Sequence, residues 1–208
     1  MELAKRRTVL PLAGVIAFVV LTLLAAVDRG AVALDIDRPV TDWAVDERTS
    51  GWTAFFRGIT NLGNPGLMFV GGLVLAAFAV ARSRFTAVLL VALACVRPLA
   101  SSAVKDLLDR ARPPVHHLTS AAGGSYPSGH VLAAMVFWGA LPVTLLLWGA
   151  ARGFVRTAVV LAAVAVTLVA ASRVYLGVHW LTDVIGAALL GALLLVPVYR
   201  AGLSKLDG

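Results

Sequence analysis

The sequence has little charge and almost no thiol. Only 14% of its 208 residues are Asp, Glu, Lys or Arg, and it holds a single cysteine. One cysteine excludes an intramolecular disulfide framework, and Cys95 lies inside an apolar run, where packing is its simplest role. So low a charge content, beside 60% hydrophobic residues and a mean hydropathy of +0.89, excludes an ordinary soluble domain and predicts an integral membrane protein. Acids are scarcer than bases, 11 against 18, for a net charge of +7. The basic residues form no stripe interleaved with aromatics, so nucleic acid is not an expected partner; membrane topology and anionic headgroups account for them. Internal repeats, low-complexity tracts and interdomain linkers are also lacking, and residues 1–208 read as one integral-membrane domain.

What the chain does have is a series of apolar runs of about 17 to 20 residues, the length that crosses a hydrocarbon core. Lys5, Arg6 and Arg7 precede the first, Val9 to Val27. A cleaved signal peptide is the alternative there, with Ala31-Val32-Ala33 as a small-x-small site, but the run exceeds the usual length of about 7 to 15 residues and an uncleaved anchor is expected. Between Asp28 and Asn64 the chain turns polar and acidic. Trp52, Phe55, Phe56 and Ile59 then recur at i, i+3, i+4 and i+7, which predicts a short helix lying on the membrane interface. Asn61 to Gly66 is dense in turn formers and precedes a second span to Ala81. Further spans are predicted over Phe85 to Val104, Val131 to Trp148, the stretch ending at Ala171, and Leu181 to Val198. The expected fold is therefore an all-α polytopic membrane protein with six transmembrane helices and an interfacial helix in the first outer loop.

Six spans put both termini on one side. That side then holds Lys5, Arg6, Arg7, Arg82, Arg84, Arg152, Arg156, Arg200 and Lys205 against only Glu2 and Asp207. By the positive-inside rule the termini are cytoplasmic, so Lys105, Arg112, His130, Arg173 and His179 emerge on the outer face.

Three segments carry the chemistry. In Ser172 to Asp183, SRVYLGVHWLTD, His179 and Asp183 stand at i,i+4. On one helical turn the carboxylate would hold the imidazole in one tautomer and support the cation formed when the ring acts as a nucleophile. Lys105 and Arg112, seven residues apart, would share a face about 10 Å apart on a continuing helix. They lie on the side where positive-inside retention does not explain them, which points to an anion site, with Arg112 suited to bidentate phosphate contact and Lys105 acting as a point charge. Ser125-Tyr126-Pro127-Ser128-Gly129-His130 opens the fourth span, and a serine and glycine at a helix start offer backbone N–H groups to an anion.

Together these segments resemble the type 2 phosphatidic acid phosphatase superfamily: KDLLDRARP matches its first signature, YPSGH its second and SRVYLGVHWLTD its third. The resemblance covers Lys105 to Asp183 by motif and the whole chain by its six-span layout. It implies a metal-independent lipid phosphatase without cofactors. In such an enzyme His179 attacks phosphorus, Asp183 supports it, and His130 protonates the leaving oxygen and then activates water. Lys105, Arg112, Ser128, Gly129 and Arg173 bind the phosphoryl oxygens. The first expected substrate is undecaprenyl or another polyprenyl diphosphate, whose recycling needs an outward-facing phosphatase; phosphatidic acid and phosphatidylglycerol phosphate follow closely. Transfer of the phosphate to another acceptor and headgroup transport are the alternatives. Six spans argue against the soluble vanadate-dependent haloperoxidases, and no inverted repeat supports a transporter.

Other residues have plainer readings. His116 and His117 are expected to be solvated loop histidines, since no carboxylate or cysteine joins them at ligand spacing. Arg97 lies about 12 Å into the third span from Lys105; it lines the headgroup pocket, as Tyr126 also would, or it forms a structural pair. Tyr175, Trp180 and Trp138 read as interfacial or packing aromatics. Composition rich in Ala, Val, Leu, Arg and Gly fits a bacterial source with GC-rich coding. The sequence names no protein partner.

Overall fold

The computed structural model describes residues 13–23 and 36–204, all of them helix, turn or loop with no strand. A short apolar helix, α1, covers Ala13–Leu23; the flanks of the expected first span, and the proposed cleavage site at 31–33, lie outside the described residues. Two short helices follow, α2 (Asp37–Asp46) and α3 (Ser50–Ile59), then a 3-10 turn (Thr60–Gly63) and the long helices α4 (Pro65–Val80), α5 (Arg84–Leu108), α6 (Gly129–Leu147), α7 (Arg152–Tyr175) and α8 (Leu181–Ser204). Five helical stretches are long and apolar enough to cross a membrane, namely Ser50–Val80 and the spans on α5 to α8; α1 is apolar but shorter within the described residues. The predicted spans match these helices closely. Three run on past their predicted ends, α7 to Tyr175, α8 to Ser204 and α5 to Leu108, so that Lys105 falls on the last turn of α5.

Local chemistry explains the boundaries. Thr49 caps α3 by accepting from Trp52 N at 3.2 Å, and Asn64 caps α4 by accepting from Gly66 N and Leu67 N at 3.0 and 3.1 Å, with Pro65 as the first helical residue. The turn formers at 61–66 thus bend the chain between α3 and α4, as their composition predicts. Ser83 caps α5. Asp109, in the left-handed region at φ 41°, ends it.

Helix α6 is the centre of the bundle and touches α4, α5, α7 and α8. Its Val131, Leu132, Ala134 and Val143 are buried in one apolar cluster with Val169 of α7 and Val184 and Ala187 of α8. Gly63 brings the 3-10 turn hard against this helix: a Cβ there would sit 2.7 Å from the His130 carbonyl oxygen and 2.6 Å from Val169, so only glycine fits without displacement. Trp138 fixes the same junction by donating its Nε1 to Leu62 O at 2.9 Å. The segment from α2 to the 3-10 turn thereby packs on α6, α7 and α8.

Candidate active site

The polar residues gather at the C-terminal ends of α5 and α7 and the N-terminal ends of α6 and α8. Helix α7 stops after Tyr175, and the link to α8 turns at Gly177, whose φ of 77° is left-handed. A Cβ at Gly177 would also meet Arg48 and Val115, so the position requires glycine twice over. His179 follows in this link, and α8 begins only at Leu181. His179 and Asp183 are therefore not on one helical turn, contrary to the expectation from their spacing. Asp183 instead folds back over the start of α8, accepting from Trp180 N at 2.8 Å in the manner of a capping box. The same oxygen, Oδ2, lies 3.4 Å from His179 Nδ1, not hydrogen-bonded to it but near enough to pair with the ring once it carries a charge, and accepts from Ser125 Oγ. The other ring nitrogen, Nε2, is 3.5 Å from an Arg112 nitrogen.

Lys105 and Arg112 also meet differently from the prediction. The helix ends between them, at Leu108, because Asp109 takes a left-handed conformation and Pro113 and Pro114 bar any restart. The loop then folds back so that Lys105 Nζ and Arg112 Nη2 both donate to the Gly124 carbonyl. Arg112 further donates to Ala122 O at 2.8 Å, to Gly123 O at 3.2 Å and to Val178 O at 2.6 Å. One guanidinium thus joins the loop after α5 to the histidine link.

Lys105, Arg112, Gly129, His130, Arg173 and His179 line one open cavity of about 360 Å³, together with Ser120, Ala121 and Ala122 of the loop after α5. Ser128 is the residue before α6 and is fully buried. Arg173 is held by Thr60 of the 3-10 turn, to which it donates at 3.1 Å. Among the described residues, Ser128 Oγ, Arg173 Nε, His179 Nδ1 and, away from the cavity, Thr41 Oγ1 are buried without a hydrogen-bond partner. Burial, reinforced by the Arg173 and Arg112 cations and opposed by Asp183, pushes the His179 imidazole down to about 4, so the ring is neutral at pH 7. Burial likewise lowers Arg112, which the Asp183 charge partly offsets; a guanidinium has room to fall and stays cationic. A neutral imidazole facing three cations and the start of α6 is suited to attack on a phosphoryl group.

Two residues expected in the headgroup pocket are not in this cavity. Tyr126 is fully buried, packed with Leu108, and its hydroxyl lies 3.1 Å from Thr22 Oγ1 of α1. Arg97 lines a separate cavity of about 10 Å³ among apolar residues of α4, α5 and α6, two turns deeper along α5. A larger cavity of about 550 Å³, walled by Val40, Trp43, Phe56, Val174 and Leu181, contains none of the catalytic candidates. The three aromatics read as packing residues also hold hydrogen bonds: Trp180 Nε1 donates to Ala111 O at 2.9 Å and the Tyr175 hydroxyl accepts from Thr49 N at 3.0 Å, alongside Trp138 above. His117 Nε2 is 3.0 Å from Pro113 O. Among the described residues, no three His, Cys, Asp or Glu side chains cluster as a metal site.

Sequence reasoning missed a buried ionic group behind His179. Arg110 donates to Asp183 Oδ1 at 2.6 Å, to Thr182 Oγ1 at 2.8 Å and to Asp37 Oδ2 at 2.9 Å. All three charged side chains are at most 1% exposed. Asp37, in the first turn of α2, also accepts from Thr182 N at 2.9 Å and from Thr182 Oγ1 at 2.6 Å. Removing one partner of such a buried pair costs about 3–5 kcal/mol, because the other charge is left unpaired. Arg110 lies inside the first signature, two residues before Arg112, where only the Lys105–Arg112 spacing drew attention. Asp37 gave no signal beyond an acid at a helix start. Arg48 was missed as well; it donates to Tyr175 O at 3.1 Å and His116 O at 3.0 Å, and Arg57 donates to Leu118 O at 2.9 Å, tying the loop after α5 to the α2–α3 segment.

The fold and the site define a helical, multi-pass membrane protein with a cavity lined by three cationic side chains and two histidines at one end of the bundle. Residues 83–205 match the PAP2 superfamily, and the chain belongs to that family. It is 30% identical over 183 residues to phosphatidylglycerophosphatase B of Bacillus subtilis (strain 168), a match covering 84% of this chain and 86% of that protein. The crystal structure of a transmembrane PAP2 type phosphatidylglycerolphosphate phosphatase from Bacillus subtilis superposes with a TM-score of 0.79 and 27% identity, over 91% of this chain and 94% of that one. Aquifex aeolicus LpxE shares the fold, with a TM-score of 0.62 at 18% identity over 80% and 96% of the two chains.

Proposed function

We propose that this chain is an integral-membrane lipid phosphate phosphatase that works through a phosphohistidine. The observation that carries the reading is one cavity in which His130 and His179 stand among Lys105, Arg112 and Arg173. His179 Nε2 attacks phosphorus and the bond to the lipid oxygen breaks, while His130 gives a proton to that oxygen. Asp183 supports the positive charge the ring acquires. His130, now neutral, takes a proton from water as its oxygen bonds to phosphorus and the N–P bond breaks, releasing inorganic phosphate. Lys105, Arg112, Arg173, Ser128 and the N–H groups at Gly129 stabilise the charge on the phosphoryl oxygens; one well-aimed donor of this kind is worth about 10²- to 10³-fold in rate. The orphaned Ser128 Oγ and Arg173 Nε fit this role. Every step draws on side chains of this chain, with no metal.

Likeness to phosphatidylglycerophosphatase B favours phosphatidylglycerol phosphate as substrate, ahead of the polyprenyl diphosphate that sequence reasoning put first. The site opens on the outer side of the membrane: Arg82, Arg84, Arg152 and Arg156 stand at the opposite ends of α5 and α7, the side the positive-inside rule assigns to the cytoplasm. There α3, with Trp52 and Phe55 exposed, lies along the interface. The test is phosphate release by purified protein in detergent with EDTA, against phosphatidylglycerol phosphate, phosphatidic acid and a polyprenyl diphosphate. Release that survives chelation, fastest with the first, is expected. No release from any of them contradicts the reading.

A further inference from the structure

We infer that Asp37 and Arg110 are positioning residues that set the charge and orientation of Asp183 and, through it, of His179; the inference rests on the phosphohistidine reading above. Asp183 divides its work between two oxygens. Oδ2 faces His179 Nδ1 and accepts from Ser125 and Trp180 N, while Oδ1 takes the Arg110 guanidinium at 2.6 Å. A guanidinium paired with Asp183 alone would cancel the charge that a phosphorylated, cationic imidazole needs beside it. The structure avoids this by giving Arg110 a second carboxylate: Asp37 lies 2.9 Å from Nη2. Among the described residues, two buried carboxylates share this one cation, so the three side chains leave an excess of negative charge at the back of His179. Buried there, that charge is screened less than it would be in water.

Asp37 also fixes direction. It holds both the backbone N–H and the hydroxyl of Thr182, the residue next to Asp183 at the start of α8. Arg110 donates to the same hydroxyl at 2.8 Å. The carboxylate that meets His179 is thus held from α2 in the first outer segment, a region with no side chain on the phosphate cavity. None of these three residues lines that cavity, so their effect reaches the reaction only through Asp183. A loss here should change the chemical step and spare binding of the phosphoryl group.

The experiment compares wild type, Asp37→Asn, Arg110→Lys and His179→Ala as full chains in detergent, measuring kcat, KM for phosphatidylglycerol phosphate, inhibition by inorganic phosphate, and the melting temperature. Asp37→Asn keeps the acceptor for Thr182 N, removes the charge, and turns an amide NH2 toward Arg110 and the Thr182 hydroxyl, which Oδ2 had accepted from. It should lower kcat about tenfold while KM and the phosphate inhibition constant stay within about twofold. Arg110→Lys keeps the charge but cannot serve both carboxylates and Thr182 from one ammonium, and should give the same signature if Asp37→Asn does not fold. Wild-type kcat in either folded variant overturns the inference. So does a KM and phosphate constant that weaken in step with kcat, which marks loosened packing. An active His179→Ala enzyme would instead overturn the phosphohistidine reading itself.

Discussion

The two sides of His179 are built on opposite principles. Behind the ring, Asp183, Arg110, Asp37, Thr182 and Ser125 are all fully or almost fully buried and bonded to one another. In front, Lys105, Arg112 and Arg173 bring three cations to one cavity with no carboxylate among its lining residues. A satisfied polar network in low dielectric is rigid, and its charges are fixed in place. A cluster of like charges is costly until an anion arrives, and in the proposed mechanism the partnerless donors receive it. The contrast teaches that the acidic residues stand at the back, where the proposed phosphohistidine would need them, while the front carries only positive charge.

Substitutions on the front should break catalysis in graded ways. The largest effect on the front is expected at His130, which in the proposed mechanism serves both proton transfers: His130→Ala should lower kcat about 10²- to 10⁴-fold, and initial-rate assays across substrate concentrations check it. Arg173→Lys keeps the charge but gives up the planar fork that bonds Thr60 and has a second nitrogen to offer. A fall in kcat of about 10²-fold is expected, measured with the melting temperature to show that the bundle is intact. Tyr126 lies away from the cavity, so Tyr126→Phe should leave kcat and KM within about twofold and cost only the contact to Thr22, about 0.5–1.5 kcal/mol in a denaturation experiment. A large catalytic defect in Tyr126→Phe would mean that the front extends further than the cavity lining indicates.

Much of the front was legible in the sequence. Runs of apolar residues between basic turns gave the long helices because hydrophobic length is a one-dimensional property. Lys105, Arg112, Gly129, His130, Arg173 and His179 were all named, and they meet in one cavity. Their local geometry was not legible. Helical spacing put His179 with Asp183 and Lys105 with Arg112 on continuous helices, but α8 begins only at Leu181, after His179, and α5 ends before Arg112 at Asp109, whose left-handed conformation no periodicity announces. Tyr126 sits one residue from Pro127 and two from Ser128 in the second signature, yet its side chain turns toward α1 and away from the cavity. The back was almost invisible. Asp37 reaches Thr182 across 145 positions of chain, and a lone acid in a polar outer segment looks the same whether it is solvated or fully buried.

The central claim is that His179 becomes covalently phosphorylated. Its most direct test is a rapid acid-free quench of wild type, His130→Ala and His179→Ala with substrate carrying a labelled phosphate, followed by denaturing gel separation. The account predicts a label on the chain that is stable to base and lost in acid, seen with wild type, prolonged in His130→Ala where the second step is slowed, and absent in His179→Ala. Labelled protein or normal turnover in His179→Ala would contradict it.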